Sequence, residues 1–483
     1  MSDTPENDPA NAGRHADVIL QHALGALLGS AVGDALGAPF EFRGPGHWSE
    51  AFPEPVVGGV GELRASDLWA AGEFTDDTQM AVVLAESLLA CDGLDPDDLW
   101  HRWRTWAATA TDVGTITRFA LSTPGHDGAA ERAHVANGNR SAGNGTIMRA
   151  VPVALATLDG TDADAVALAV DQARLTHHDP DTHVGAALHV LMIQAWIRGE
   201  DPDAAVAAHL DSLDPEVAVR WRTLLDPAWE PIDATTGNGT VWTCLAQALW
   251  AVRGADSFAE AVTRAIDLGD DADTVGCVAG ALAGARFGVQ AIPSRWTTYL
   301  QGTVDTPDGT QRYDGAALQD LGRLLLGRSV VAPSVPERAK SPVRVHDEVP
   351  LHAADWKGAL EAPTDWAVVS LCRVHGELAD HPVRREVFLI DRYAETDNHD
   401  PLAALTDAVD SIDAFLAEDP DRPVLVHCHG GHSRTGFVLK AWAMRRHGWD
   451  EDEAHAWLAE RWPHLERNNA VFVRVLREEW PGR

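Results

Sequence analysis

"RPVLVHCHGGHSRTGFVLKAWAMRR", residues 422–446, is the stretch that divides the chain into two folds. The apolar run Val424–Val426 has strand character, and "GFVLKAWAMRR" has helical periodicity with basic residues towards its end. Between them Gly430 and Gly431 sit in a short loop. A strand that turns through such a loop into a helix converges backbone N–H groups at the helix N-terminus, which makes an anion site. A thiol at Cys428 would be held there largely as thiolate. Arg434 can grip two phosphoryl oxygens bidentately as lysine could not, and Thr435 can hydrogen-bond the thiolate as it departs.

Outward from this loop, "WAVVSLC" (366–372) and "REVFLID" (385–391) are further short β-rich runs, separated from "RPVLVHC" by the helical "PLAALTDAVDSIDAFLAE". Strands alternating with helices predict a small α/β domain with a largely parallel sheet over 346–483. Before it, "VVAPSVPERAKSPVRV" carries prolines at 333, 336 and 342 and reads as an extended linker over 331–345. Residues 17–330 have a different grammar: "DTQMAVVLAESLLA", "HVGAALHVLMIQAWIRG" and "GCVAGALAGARFG" put Ala, Leu, Val and Gly at helical spacing. That predicts a multidomain chain whose larger unit is all-α, with Gly and Ala letting helices approach closely. Residues 1–16 read as a disordered tail.

At 483 residues the chain exceeds what one core supports. Its formal charge of −35 argues against nucleic acid and anionic membranes as partners, because phosphate binding needs clustered cations. The five scattered cysteines lack metal-ligand spacing and fit a reducing compartment. The polar, acidic start lacks the marks of a signal peptide. "ALGALLGSAVGDALGAPF", broken by Asp34 and ended by Pro39, reads as too short and too polar to span a bilayer. The expectation is a cytoplasmic protein.

In the helical unit, Thr75, Asp76 and Asp77 stand at the start of one helix, and Asp271, Asp273 and Thr274 at the start of another. One such cluster alone is an ordinary N-cap with acids favouring the helix dipole. Two clusters, facing one another, supply four carboxylates and two hydroxyls, the hard oxygen ligands that Mg²⁺ or Mn²⁺ favours. The spacing excludes an EF-hand, and no His or Cys cluster suggests zinc. "GNGTIMRAVPVA" opens a helix with bare backbone at Gly143 and Gly145, suited to a diphosphate. His177 and His178 end a further helix, a place where histidines commonly act as C-terminal caps.

Two resemblances gather these motifs. Cys-x5-Arg-Thr preceded by His427 resembles the signature loop of cysteine-dependent tyrosine and dual-specificity phosphatases. That resemblance implies Cys428 as nucleophile, Arg434 as stabiliser of the transferring group, Thr435 as helper, and His429, Gly430, Gly431, His432 and Ser433 as the phosphate cradle. It also implies a general acid about thirty residues before the cysteine. "DRYAETDNHDP" offers Asp397, 31 residues before Cys428, with Asp391 second and Asp400 a further choice. The histidines of the loop, in place of lysines, point away from strongly polyanionic substrates.

The ordered set "GDALGAPFE", "TDDT", "DVGTITRFAL", "GNGTIMRAVP", "THHDP" and "GDDADTVG" is similar to the ADP-ribosylglycohydrolases, an all-helical, dinuclear-magnesium family. The resemblance implies two Mg²⁺ (or Mn²⁺) on Thr75, Asp76, Asp77, Asp271, Asp273 and Thr274. Asp112, Gly114, Gly143, Asn144, Gly145 and Thr146 would hold the substrate, with His177 nearby, and Glu41 or Asp77 would serve as base. Family members usually read Gly-Gly-Asp where this chain has Gly269-Asp270-Asp271, which bears on which acid coordinates. The function implied is a bifunctional hydrolase acting on ADP-ribosylated proteins or small molecules and on phosphate monoesters, with both activities on one pathway. The alternatives are a phosphatase regulated by a non-catalytic ADP-ribose-binding domain, and a scaffold that has lost both activities.

Overall fold

A computed structural model describes residues 9–330, 339–392 and 397–483. The larger unit is helical, as its periodicity predicts, and is built on two antiparallel helices, Pro9–Gly37 and Ala272–Phe287. Glycines four apart on the first helix face glycines four apart on the second. A Cβ added at Gly25 would lie 2.4 Å from the Gly284 carbonyl oxygen, at Gly29 2.4 Å from that of Gly280, and at Gly33 2.0 Å from that of Gly276. Only bare backbone lets two helices come this close, and the contact is then carried by backbone dispersion and Cα–H···O pairs.

The first helix departs from expectation in two ways. It begins at Pro9, inside the stretch read as a disordered tail, whose residues 1–8 lie outside the described residues. With the short turn that follows it, the stretch Ala16–Phe40 is also long and apolar enough to cross a membrane, contrary to the reading of "ALGALLGSAVGDALGAPF". Yet 94% of its apolar window is buried within the fold, where the helix forms the core seam.

The unit is not purely α-helical. Strands β1 (Gln301–Thr306) and β2 (Gly309–Asp314) form an antiparallel hairpin across Pro307-Asp308-Gly309. The polar composition of these strands hides them from a search for apolar alternation, although Pro-Asp-Gly is a turn signal.

The second unit is a five-stranded sheet, in the order β3-β4-β7-β5-β6, from Val343–Arg344, Leu351–Asp355, Val424–Cys428, Ala367–Ser370 and Arg384–Glu386. All pairs are parallel except β3 with β4. The expected linker is therefore too long at its C-terminal end, since Val343 and Arg344 already pair with β4; residues 331–338 lie outside the described residues. Strand β7 is central and buried at every position, so Cys428 leaves the sheet at its carboxyl edge, where α/β proteins place their ligands.

The units are held together by polar contacts. Arg373 makes a two-pronged ion pair with Asp320, and Gln290 Nε2 donates to Asn398 Oδ1 (2.7 Å) and the Phe388 carbonyl (3.0 Å). The Tyr299 hydroxyl donates to the Arg384 carbonyl (3.0 Å), and the Ser294 N–H to Asp407 Oδ2 (3.0 Å). A cleft of about 500 Å³ lies between the units.

Candidate active sites

The acidic site of the helical unit is assembled by Asp34, which sequence reasoning left without a role. From the interior of the first helix its carboxylate accepts the N–H groups of Thr75 (3.0 Å) and Thr78 (3.0 Å) and the Thr78 hydroxyl (2.6 Å). That caps the helix Asp76–Cys91, because Thr75 makes no capping bond of its own. Capped from outside, the helix directs Asp76 and Asp77 inward.

Asp77 joins the two acidic clusters. Its Oδ2 accepts from the Thr75 hydroxyl (3.2 Å) and from the Thr274 hydroxyl (3.4 Å), 197 residues away, while its buried Oδ1 has no hydrogen-bond partner among the described residues. Glu41, Asp271 and Asp273 bring one carboxylate oxygen each to within 4.8 Å of one another. Asp271 is oriented by Asn144 Nδ2 (2.8 Å) and by its own N–H on Asn238 Oδ1 (3.1 Å). Asn238, a second residue missed in the sequence, also donates to the Gly269 carbonyl (2.9 Å). The extra acid Asp270 stays outside the cluster: its side chain is exposed, its φ is +54°, and its backbone pairs with that of Arg43, the residue two after Glu41. Asp271 and Asp273 are thus the acids that face the site.

Crowded carboxylates raise one another's pKa. Burial, then the negative charges of Asp271 and Asp112, push Glu41 up to about 8. Burial, then Asp112 and Asp34, push Asp76 to about 7. Burial and neighbouring acids hold Asp77 and Asp273 well above the usual carboxylate range. Such a cluster stays ionised at neutral pH only when a cation neutralises it. The orphaned Asp77 Oδ1 and the all-oxygen donor set fit a hard divalent ion.

Stripped of metal, the folded chain holds protons that the unfolded chain has released between about pH 4 and pH 8, so its stability falls as pH rises through that window. Metal-free protein should therefore melt at a higher temperature at pH 5.5 than at pH 8. Added Mg²⁺ should raise the melting temperature most at pH 8. A metal-free melting temperature that climbs from pH 5.5 to 8 would contradict this electrostatic account.

The other expected ligand-binding residues divide. The Gly114 N–H and the charge of Asp112 both act on Asp76, so the "DVGT" loop borders the acidic site. In "GNGT", the Asn144 N–H is already taken by the Gly239 carbonyl (3.2 Å) and the Thr146 hydroxyl by the Thr182 carbonyl (3.0 Å). His177 lies buried beneath this loop: a Cβ on Gly145 would stand 3.1 Å from its ring. Thr176 Oγ1 accepts from Arg149 Nη2 (2.8 Å) and contacts His177 Nδ1 (2.8 Å), and burial keeps the imidazole neutral. His177 therefore supports the loop from behind.

In the second unit, β7 delivers Cys428 to the loop, and the helix Ser433–His447 starts directly after His432. Three carbonyls of the loop are claimed from outside. That of His429 accepts from the Trp356 N–H (3.4 Å), that of Gly430 from Lys340 Nζ, and that of Gly431 from Trp462 Nε1 (2.7 Å). In a trans peptide the N–H points opposite the carbonyl, so the N–H groups of Gly430, Gly431 and His432 face the centre of the loop. Gly431 has φ +67°, and a Cβ there would lie 2.8 Å from the Ala354 carbonyl oxygen. The His432 ring bonds Lys340 and the His464 carbonyl, so this residue serves the cradle with its backbone rather than its side chain. Ser433 and Thr435 are buried at the helix start, and the Thr435 hydroxyl has no hydrogen-bond partner among the described residues.

Arg434 is pre-aimed. Its Nη1 donates to the carbonyls of Leu371 (3.0 Å) and Leu389 (3.1 Å), while its buried Nε has no hydrogen-bond partner among the described residues. The fixed Nη1 leaves the Nε–Nη2 edge, the bidentate edge, for an anion. Asp391 Oδ2 lies 3.8 Å from Nε and lines the interdomain cleft together with Arg434 and His429. Asp397, the residue favoured by counting back from Cys428, is buried, and its carbonyl accepts from Gln21 Nε2 of the helical unit (3.0 Å). The carboxyl group shared with Arg434 is that of Asp391.

Residues 15–331 match the ADP-ribosylglycohydrolase family, and residues 369–479 match the dual specificity phosphatase catalytic domain. The chain is 34% identical to the ADP-ribosyl-[dinitrogen reductase] glycohydrolase of Rhodospirillum rubrum, over 59% of its own length and 92% of that protein's. It is 32% identical to the ADP-ribosylarginine hydrolase Tri1 of Pseudomonas putida (strain GB-1), over 57% and 73%. Among solved structures, an ADP-ribosylglycohydrolase-related protein complex superposes with a TM-score of 0.50 at 32% identity, covering 65% of this chain and 99% of that one. The chain belongs to the ADP-ribosylglycohydrolase family, and it carries a dual-specificity phosphatase catalytic domain after its helical unit.

Proposed function

We propose that this bifunctional hydrolase removes ADP-ribose from modified side chains, arginine foremost, with two Mg²⁺ or Mn²⁺ ions, and hydrolyses phosphate monoesters through Cys428. The observation that carries the first activity is the closure of two distant acidic clusters around Asp77, with one of its oxygens left unpaired. The relatives named for ADP-ribosylarginine and for ADP-ribosylated dinitrogen reductase support arginine as acceptor.

Thr75, Asp76, Asp77, Asp271, Asp273 and Thr274 would hold the ions. When bound, the metal supplies neutralising charge and Lewis acidity towards the ribose hydroxyls and water. Asp77 is too buried to meet substrate, whereas Glu41 is only partly buried and stands at the cluster's edge. Glu41 is therefore the carboxylate that takes the proton of the attacking water as it adds to the anomeric carbon. The glycosidic C–N bond breaks, the guanidine leaves with a proton, and ADP-ribose is free.

At the second site the Cys428 thiolate attacks phosphorus, the P–O bond to the leaving group breaks, and the Asp391 carboxyl group gives that oxygen its proton. Arg434 holds two phosphoryl oxygens through its Nε–Nη2 edge, and water then hydrolyses the phosphocysteine. Cys428→Ser should lower turnover of para-nitrophenyl phosphate by at least about a thousandfold. Asp391→Asn should lower it by about a hundredfold and flatten the acid-requiring limb of the pH profile, with Asp397→Asn close to wild type. Equal loss in the two aspartate variants would overturn the assignment of Asp391. For the helical domain, the test is release of ADP-ribose from an ADP-ribosylarginine peptide, lost on chelation and restored by Mg²⁺. Release that persists under chelation would overturn the metal reading.

A further inference from the structure

The phosphatase loop meets the cleft between the units through His429 and Arg434. Arg434, His429 and Asp391 line the 500 Å³ cleft between the units, and its far wall is built by the helical unit, from the first helix, residues 289–298 and residues 314–323. A phosphorylated side chain on a folded protein needs open surface around the cysteine loop for its own backbone and neighbours. Here that space belongs to the other domain, held by Arg373–Asp320, Gln290–Asn398 and Ser294–Asp407. The volume is instead that of a site for a small molecule, which typically spans about 300–1,000 Å³.

The charges of the cleft narrow the ligand further. Most of its acids are already engaged. Asp17 pairs with Arg392 (2.9 Å), Asp314 caps its own helix through the N–H groups of Ala316 and Ala317, and Asp407 accepts from Ser294. Arg373 is neutralised by Asp320. Arg323, half-buried on the helix Gly315–Leu325, lines the same cleft; its guanidinium makes no direct hydrogen bond or ion pair among the described residues, although the charges of Asp320 and Asp17 act on it from nearby. A partly desolvated guanidinium that no hydrogen bond holds directly gains from a ligand that brings an anion.

Two guanidinium groups thus present donors to one cleft, Arg434 from the phosphatase domain, with Asp391 beside its Nε (3.8 Å), and Arg323 from the helical domain. We infer that the phosphatase site takes a small soluble phosphomonoester bearing a second anionic group, the phosphate on the Cys428 loop and the second anion on Arg323. The inference rests on the phosphatase reading of Cys428. In this arrangement the helical domain forms part of the phosphatase's substrate pocket, and folded phosphoproteins are excluded.

The test uses the full chain with para-nitrophenyl phosphate as reporter substrate. Inhibition constants are measured for adenosine 3′,5′-bisphosphate against adenosine 5′-monophosphate, and for fructose 1,6-bisphosphate against fructose 6-phosphate. In at least one pair the second anion should tighten binding by about tenfold or more, and Arg323→Gln should bring that ratio close to one. Thermal melting of the variant checks its fold. Ten-residue phosphotyrosine and phosphoserine peptides should be cleaved no faster than by Cys428→Ser. Equal affinities within both pairs in the wild type, a ratio that Arg323→Gln leaves intact, or rapid peptide cleavage would each overturn the inference while leaving the phosphatase standing. Absence of reporter turnover, or turnover indifferent to Cys428→Ser, would overturn the phosphatase reading and this inference together.

Discussion

Asp77→Ala abolishes metal-dependent release of ADP-ribose, lowering kcat/KM by at least about a thousandfold, and weakens Mg²⁺ binding by about a hundredfold. Asp77 is buried, and its two oxygens have different tasks. Oδ2 bonds the Thr75 and Thr274 hydroxyls, one from each acidic cluster, and Oδ1 has no hydrogen-bond partner among the described residues. Truncation removes both the bridge and the unpaired oxygen that suits a cation. Asp77→Asn separates the two roles, since it keeps the size and the hydrogen bonds but drops the charge. The asparagine variant should fold, should melt higher than wild type at pH 8 in the absence of metal because like-charge crowding is relieved, and should still be inactive. Isothermal titration with Mg²⁺ and melting curves with and without chelator check each part. An active asparagine variant would remove Asp77 from the metal site.

The largest effect on stability is expected at the glycine seam. Gly33→Ala places a Cβ 2.0 Å from the Gly276 carbonyl oxygen, a backbone atom that cannot move aside as a flexible side chain can. The two central helices must then separate, at a cost of about 3 kcal/mol or more, or about 10 °C in melting temperature. Asp34, the next residue, caps the helix that carries Asp76 and Asp77, so hydrolase activity should fall together with stability. Gly237→Ala is the control: no atom lies within 4 Å of the added Cβ, and melting should shift by no more than about 2 °C. Similar melting temperatures for the two variants would mean that the seam is not packed as described.

Why some of this was legible in the sequence and some was not follows from how each feature is encoded. The cysteine loop is local: strand, glycines and helix lie within 25 residues, and contiguous backbone geometry follows contiguous sequence. The two acidic clusters were legible as hard-oxygen side chains at two helix starts, and in the fold a hydroxyl from each reaches Asp77. Asp34 and Asn238 escaped because each acts on a segment more than thirty residues away, and an aspartate in an apolar helix or an asparagine in a loop carries no mark of that partner. Lys340 and Trp462 escaped likewise: they hold the carbonyls of Gly430 and Gly431 in the cysteine loop from outside. Counting back from Cys428 favoured Asp397 over Asp391, but chain separation does not say which side of a turn faces the arginine. The cleft was invisible because it belongs to neither domain alone.

The central claim is that one chain carries two chemically separate active sites, and one preparation tests it most directly. Full-length wild type, Asp271→Ala and Cys428→Ser are each assayed for Mg²⁺-dependent release of ADP-ribose from an ADP-ribosylarginine peptide and for hydrolysis of para-nitrophenyl phosphate. The account predicts that Asp271→Ala loses the first activity and keeps the second, while Cys428→Ser loses the second and keeps the first. Release of ADP-ribose undiminished in Asp271→Ala, or both activities lost through either single change in a protein that still melts like wild type, would contradict it.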